Sequence, residues 1–444
     1  MQSHKEVKKW LAAGAMISLV ALSLAGCGGT TSTAEPKIAA ADFTEPTQPV
    51  TLTYAGAAYS ATDIKPVLDA FHKAHPNITV KYEAVPFTDF NSVLGTRLTN
   101  KTNAIDVFDT DMPRTNAYQA RGWLADLTTA FPDLKKSVDP GSLQASTVGG
   151  KLVAMPYQTS TNFMYYNKDL LTKAGIKSPS ASPDARMTWD TVTADAKTAQ
   201  KAGAKYGLVF DQIDRYYQLQ PLMMTSGGGA GATGANNLTP AVTNAGWNSA
   251  LSWYGKLFAD KVSPRGVTDA ETPDLFASGQ VAYYVGGPWW APQFEKNKAM
   301  NFGVAPFPTF QSGKAATPTG GWSLGLNPKS TKANAALIFM KFMGIDNGGY
   351  AQYLSSLAVP PSNLAGSSKF YASPAFADPR MAGSVELMKS ELANTATLRL
   401  QTVGYVEFED IMTKTFSDII NGGNASTALD SANKDLTDTW SKLK

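Results

Sequence analysis

From Val50 onward, apolar and polar positions alternate through VTLTYAG, the period of a strand with one buried face. In the following stretch, DIKPVLDAFHKAHP, the period changes: Ile64, Val67, Leu68 and Phe71 recur at helical spacing. NITVKYEAVP alternates again, FNSVLGTRLTN predicts a helix, AIDVFDTD a strand, and AYQARGWLADLT a helix that ends before FPDLKK. A second block runs KLVAMPYQTSTNFMYYNKDLLTKAG, then TWDTVTADAKTAQKAG as a helix and KYGLVF as a strand. WNSALSWYGKLFADK reads as a long helix, and DLFASGQVAYYVGG leads from a helix end into a strand. Strands alternating with helices at this spacing predict βαβ units and an α/β fold. The glycine-rich SGGGAGATGANN (226–237) reads as a surface loop, because it lacks the Lys-Ser/Thr end of a phosphate loop.

Composition changes this picture in two places. A chain of 444 residues with 43% hydrophobic content has material for two or three domains with large cores. Its 39 basic residues barely exceed its 36 acidic ones, and the N-terminal Lys5, Glu6, Lys8 and Lys9 carry +2 of the net +3. No basic cluster is left to neutralise phosphates, which argues against a nucleic-acid partner. The start of the chain is the second place. MQSHKEVKK is a basic segment, WLAAGAMISLVALSLAG is an apolar one ending in small residues, and Cys27 follows as the only cysteine in the sequence. About 17 apolar residues lie at the lower limit for spanning a bilayer. Leu24-Ala25-Gly26-Cys27 resembles the bacterial lipobox, which implies a signal peptide over 1–26, a diacylglyceryl group on Cys27 and a flexible tether over 27–49.

Four separated segments resemble the extracellular solute-binding proteins of ABC sugar importers, the group that includes maltose-binding protein. They are IDVFDTDMPRTNAYQARGWLADL; GKLVAMPYQTSTNFMYYNKDLL (150–171); FASGQVAYYVGGPWW; and NFGVAPFPTF followed by TGGWSLGLNPKSTKANAALIFMKF. The resemblance covers roughly residues 50–440 in order and implies a bilobed, type II periplasmic-binding-protein-like fold with ligand in a cleft between two α/β lobes. It places lobe one at 50–156 plus 303–345 and lobe two at 160–295 plus 350–444, with crossings near Met155–Asn162, Ala291–Val304 and Ile345–Leu357. It further implies a monomeric, non-enzymatic receptor without a cofactor. Such a receptor is lipid-anchored on the outer face of the cell membrane or in the periplasm, and it delivers a carbohydrate to ABC permease subunits driven by a separate ATPase.

A sugar presents hydroxyls at its edge and C–H patches on its faces, so its site needs carboxylates or amides in plane and aromatic plates above and below. Asp109 and Asp111 lie two apart at the end of one predicted strand and project from one face. Either can accept ligand hydroxyls or cap the next helix, and Arg114 is a ligand contact or the partner of Asp111. Trp289 and Trp290 follow a GGP turn; the family resemblance places a stacking tryptophan here, with Trp289 as plate and Trp290 as packed support. Trp322, behind two glycines, is a second candidate plate. Tyr216 or Tyr217, Tyr59, Gln158, Ser160 and the C-terminal Tyr405, Glu407 and Phe408 are further candidates. Where maltose-binding protein has a tryptophan, this chain has Thr110, which departs from the maltodextrin pattern. Paired carboxylates and tryptophans also furnish glycosidase clefts, so a secreted glycoside-active enzyme is the alternative. Against it, two carboxylates side by side on one strand do not flank a scissile bond. Of three histidines, His4 lies in the N-terminal segment, and His72 and His75 share one helix end. No catalytic His-Glu-x-x-His motif occurs.

Overall fold

The computed structural model describes residues 42–99, 105–310, 314–354 and 359–443; Cys27, the expected signal peptide and most of the expected tether lie outside them. The first alternating run becomes strand Val50–Gly56, paired in parallel with Ile78–Ala84 on one side and Val107–Asp111 on the other. Between the first two strands, helix Ala61–Ala74 begins at Ser60, whose side chain accepts from Asp63 N, and it buries Ile64, Val67 and Phe71. Trp322–Leu326 lies antiparallel beside Val107–Asp111, and Met155–Pro156 completes the five-stranded sheet. Its core holds Leu52, Tyr54, Phe71, Leu324, Phe339 and Met343, all fully buried. Each large side chain removed from water in this way contributes about 1.5–3 kcal/mol.

The second sheet has the order Phe302–Ala305, Phe163–Asn167, Val281–Gly286, Tyr206–Phe210. Every residue of Phe163–Asn167 and of Val281–Gly286 is buried, and apart from Asn167 and Gly286 these runs are continuously apolar rather than alternating. Helix Trp189–Lys201, capped by Thr188, packs on strands Tyr206–Phe210 and Val281–Gly286, while Ala245–Ala259, capped by Asn244, packs with the last two helices, Tyr405–Ile420 and Ala425–Trp440. Trp189, Trp247, Tyr254, Phe408 and Trp440 belong to the one core that these elements enclose.

Several expectations are corrected here. The helix read from AYQARGWLADLT is only Thr115–Ala120; Gly122, at φ +67°, turns the chain out of it, and Ala125 N and Leu127 N bond instead to Leu326 O and Leu152 O. Phe302–Ala305 belongs to the second sheet, paired with Phe163–Asn167, so the expected lobe-one boundary at 303 falls inside a lobe-two strand; the chain rejoins the first sheet at Trp322. Tyr350 packs in the first core and helix Leu364–Tyr371 beside it, so position 350 is too early for the last passage; the second-sheet core is regained by Met381. A strand's own pattern carries its period but not the identity of its partner, so the points of passage between the sheets are set by pairing and not by local sequence. The glycine-rich 226–237 loop is partly packed, with Gly228 and Gly231 buried against Trp247.

Backbone bridges tie the passages together. Gln158 pairs with Pro361 and Ser160 with Gly320, while Thr317–Thr319 runs parallel to Ala396–Leu398.

Candidate functional site

Residues at or just beyond the carboxyl ends of five strands line one cavity of about 550 Å³: Ala57 to Tyr59, Phe87, Asp111, Gln212 and Trp289. This is where open α/β sheets present ligand groups. Trp322 joins them from the start of an antiparallel strand, opposite Asp111 in the ladder. A further space of about 650 Å³ shares Phe87, Gln212, Trp290 and Trp322 with the first and continues to Asp214, Arg215 and Asp269. The result is an elongated cleft with the first sheet on one side and the second on the other.

Of the sequence-predicted residues, Tyr59, Asp111, Ser160, Trp289 and Trp322 line the cavity together. Asp111 is 3% exposed and forms a two-pronged ion pair with Arg399, whose Nη1 donates to Oδ2 at 2.8 Å and whose Nη2 donates to Oδ1. The guanidinium carbon of Arg399 lies 5.0 Å from the centre of the Tyr217 ring. The hydroxyl of Tyr217 in turn accepts from Asn162 Nδ2 at 2.9 Å and sits 2.9 Å from the Ser160 hydroxyl. Tyr59, Tyr350 and Gln158 form a hydroxyl–amide triangle, with Tyr59 donating to Gln158 Oε1 at 2.5 Å.

Trp289 and Trp290 stand in a helical turn, Pro288–Trp290, not in an extended segment. Neighbours in such a turn diverge by roughly a third of a revolution rather than pointing to opposite sides. Both therefore line the cleft, and Trp290 also packs against the second-sheet core, so the division into plate and support is incomplete. Gly287 is required here by close approach: a Cβ would lie 2.0 Å from the Trp289 ring. Trp289 Nε1 donates to Asp211 Oδ2 at 3.3 Å, and its ring centre is 6.3 Å from that of Tyr217. Trp322 meets Phe87 and Phe90 edge to face.

Four expected site residues lie elsewhere. Asp109 is fully buried beneath the cleft, accepting from Tyr54 Oη at 2.6 Å, Tyr157 Oη at 3.0 Å, Ala57 N at 2.8 Å and Ala58 N at 3.0 Å. All its acceptor sites are thus used, and burial raises its pKa despite those bonds. It anchors the loop that carries Tyr59 rather than facing the cavity. Arg114 is not the partner of Asp111; it pairs with Glu409 through Nε at 3.0 Å and Nη2 at 2.6 Å and stacks on Phe87. Tyr216 is packed between Trp247 and Phe408 and donates to Ala230 O, one residue of helix rotation away from cavity-lining Tyr217. Tyr405 is fully buried beside Phe408.

Sequence reasoning missed Arg399, Phe87, Gln212 and Asp211. Phe87 and Gln212 could have been found by their place just past a strand end. A lone arginine between leucines in LRL was the available signal for Arg399.

Residues 38–344 match the family model described as bacterial extracellular solute-binding protein. The chain belongs to that family, whose members are binding receptors rather than enzymes. It is 28% identical over 271 residues to the maltodextrin-binding protein MdxE of Bacillus subtilis, covering 59% of this chain and 62% of that one. It is also 28% identical over 256 residues to a maltooligosaccharide ABC transporter solute-binding lipoprotein of Streptococcus pneumoniae, covering 54% and 56%. The chain thus spans less than two thirds of the length of either relative. An ABC substrate-binding protein of Listeria monocytogenes, solved in complex with cycloalternan, superposes with a TM-score of 0.77 at 22% identity over 89% of this chain and 100% of its own. That agreement shows the bilobed α/β fold.

Proposed function

We propose that this protein captures a neutral oligosaccharide between its two lobes and presents it to a membrane permease. The observation that carries the reading is the cleft wall itself. The Asp111–Arg399 pair offers acceptors and donors at net zero charge, and Trp289, Trp290, Trp322 and Tyr217 surround it with aromatic faces. A length of cleft running from Tyr59 to Asp269 suits several sugar rings rather than one. The named relatives bind maltodextrin or maltooligosaccharide, which makes α-glucans the first probes to use. Two stacked rings and a few hydrogen bonds to charged groups supply the ~8 kcal/mol of micromolar affinity. Ligand favours the closed arrangement because only there do both lobes touch it.

In this reading residues 1–26 are a cleaved signal peptide, Cys27 carries the lipid and 27–49 form the tether to an outward-facing membrane surface. The protein works as a monomer, and a separate ATPase powers transport. Asp109, Arg114, Tyr216 and Tyr405 act as scaffold, while Asp111, Trp289, Trp322, Tyr59 and Ser160 meet the ligand. Calorimetry of the chain from Val50 onward against malto-, isomalto- and galacto-oligosaccharides tests the core of it. Micromolar or tighter binding of at least one is expected; no heat with any neutral oligosaccharide, or hydrolysis of one, overturns it.

A further inference from the structure

Asp211 follows strand Tyr206–Phe210 and is 2% exposed. Its Oδ1 accepts from Tyr284 Oη at 3.1 Å, and its Oδ2 accepts from Trp289 Nε1 at 3.3 Å. Its backbone is fixed as well: Asp211 N donates to Val285 O, and Thr272 Oγ1 donates to Asp211 O. The carboxyl is therefore held from the sheet on one side while its second oxygen faces the underside of the cleft tryptophan. On the other side, Gly287 leaves room for the indole ring to lie against the backbone. We propose that Asp211 is the positioning residue of the Trp289 platform, gripping the indole N–H so that the ring is already oriented when a sugar face arrives. This rests on the reading of Trp289 as a ligand platform.

The grip has an electrical side. The titratable groups that face Asp211 are Tyr284 and Tyr165 from its own sheet, Tyr217 from helix Tyr216–Thr225, and Asp269 from the loop ahead of helix Thr272–Ala277; Arg215 pairs with Asp269 at 3.3 Å. Burial raises the Asp211 carboxyl to about 7, Trp290, Tyr284 and, more weakly, Trp289 oppose the shift only in part, and the like charge of Asp269 adds to it. The acceptor of the indole N–H thus changes from carboxylate to neutral acid within the ordinary pH range. Asparagine mimics the neutral form and keeps an acceptor oxygen, whereas leucine removes it.

The test uses the ligand-free protein labelled with ¹⁵N in its tryptophan indoles, the Trp289 signal being identified by Trp289→Phe. In the wild type that signal should move between pH 5.5 and 8.5 with a midpoint near 7. Asp211→Asn should flatten the titration and keep the N–H protected, and Asp211→Leu should speed its solvent exchange at least tenfold. With maltohexaose as the probe, Asp211→Leu should weaken affinity at least tenfold and Asp211→Asn less than threefold. A wild-type signal indifferent to pH, or a folded Asp211→Leu with unchanged Trp289 protection, overturns the proposal. If Asp211→Leu does not fold, the wild-type and Asp211→Asn titrations decide alone. If no neutral oligosaccharide binds the wild type, the platform reading fails, while the indole signal still reports whether Asp211 holds Trp289.

Discussion

Replacing Asp109 with alanine strands four donors at once: the hydroxyls of Tyr54 and Tyr157 and the backbone amides of Ala57 and Ala58. Both phenols are fully buried, so water cannot replace the lost acceptor, whereas the two amides lie at the partly exposed cleft margin and can be rehydrated. At about 1–3 kcal/mol for each stranded buried donor, the phenols alone put the loss at about 2–6 kcal/mol. The carboxyl itself is held against a burial penalty that raises its pKa, and removing it relieves that penalty, which moves the net toward the lower part of the range. Even so, the loss is a large fraction of the ~5–15 kcal/mol that holds a typical domain folded. Urea unfolding at pH 7 measures it, alongside calorimetric titration of the folded fraction with maltohexaose. Asp109→Ala should lower the unfolding midpoint strongly, and affinity should fall only because the loop bearing Tyr59 loosens. Wild-type stability combined with abolished binding would refute the scaffold role and return Asp109 to the ligand site.

The reverse pattern is expected of Trp289→Ala: maltohexaose affinity falls at least tenfold while thermal unfolding, followed by circular dichroism, shifts by no more than about 2 kcal/mol, because the ring is only partly buried. Arg399→Ala leaves the Asp111 carboxylate buried without its partner and should destabilise by about 3–5 kcal/mol in urea. Arg399→Lys should recover only part of this, since a single ammonium cannot reproduce the two-pronged geometry, and full recovery would argue against that geometry. Asp211 predicts a pH effect on stability. The folded protein keeps that proton up to about pH 7 and the unfolded chain loses it near 3.8, so the folded state holds the extra proton between them and stability falls as pH rises through that interval. Asp211→Asn removes the penalty and should therefore raise stability relative to wild type at pH 8, by at most about 4 kcal/mol, and not at pH 4. An equal shift at both pH values in calorimetry would contradict the assignment.

Local pattern carried the elements and the cleft's position. The periods of VTLTYAG and of Ile64, Val67 and Phe71 survive in the structure because burying one face of a strand or helix is decided by residues adjacent in sequence. GGP before Trp289 marks a turn at a strand end, and strand ends of α/β sheets are where ligands sit. What failed was anything needing a partner. The edge strand Phe302–Ala305 is apolar and buried at every position, and nothing in FGVA says which sheet it will join.

Asp109 and Asp111 show the same division on the smallest scale. By themselves, the residues of FDTD determine that both carboxylates leave one face of one strand, about 7 Å apart along it. Which of them meets solvent is decided by what arrives from distant parts of the chain: Tyr54 and Tyr157 close over Asp109, while Arg399, 288 residues away, reaches Asp111 at the cleft. A side chain's direction follows from backbone geometry, but its environment is the sum of long-range packing, and only the folded chain contains that information.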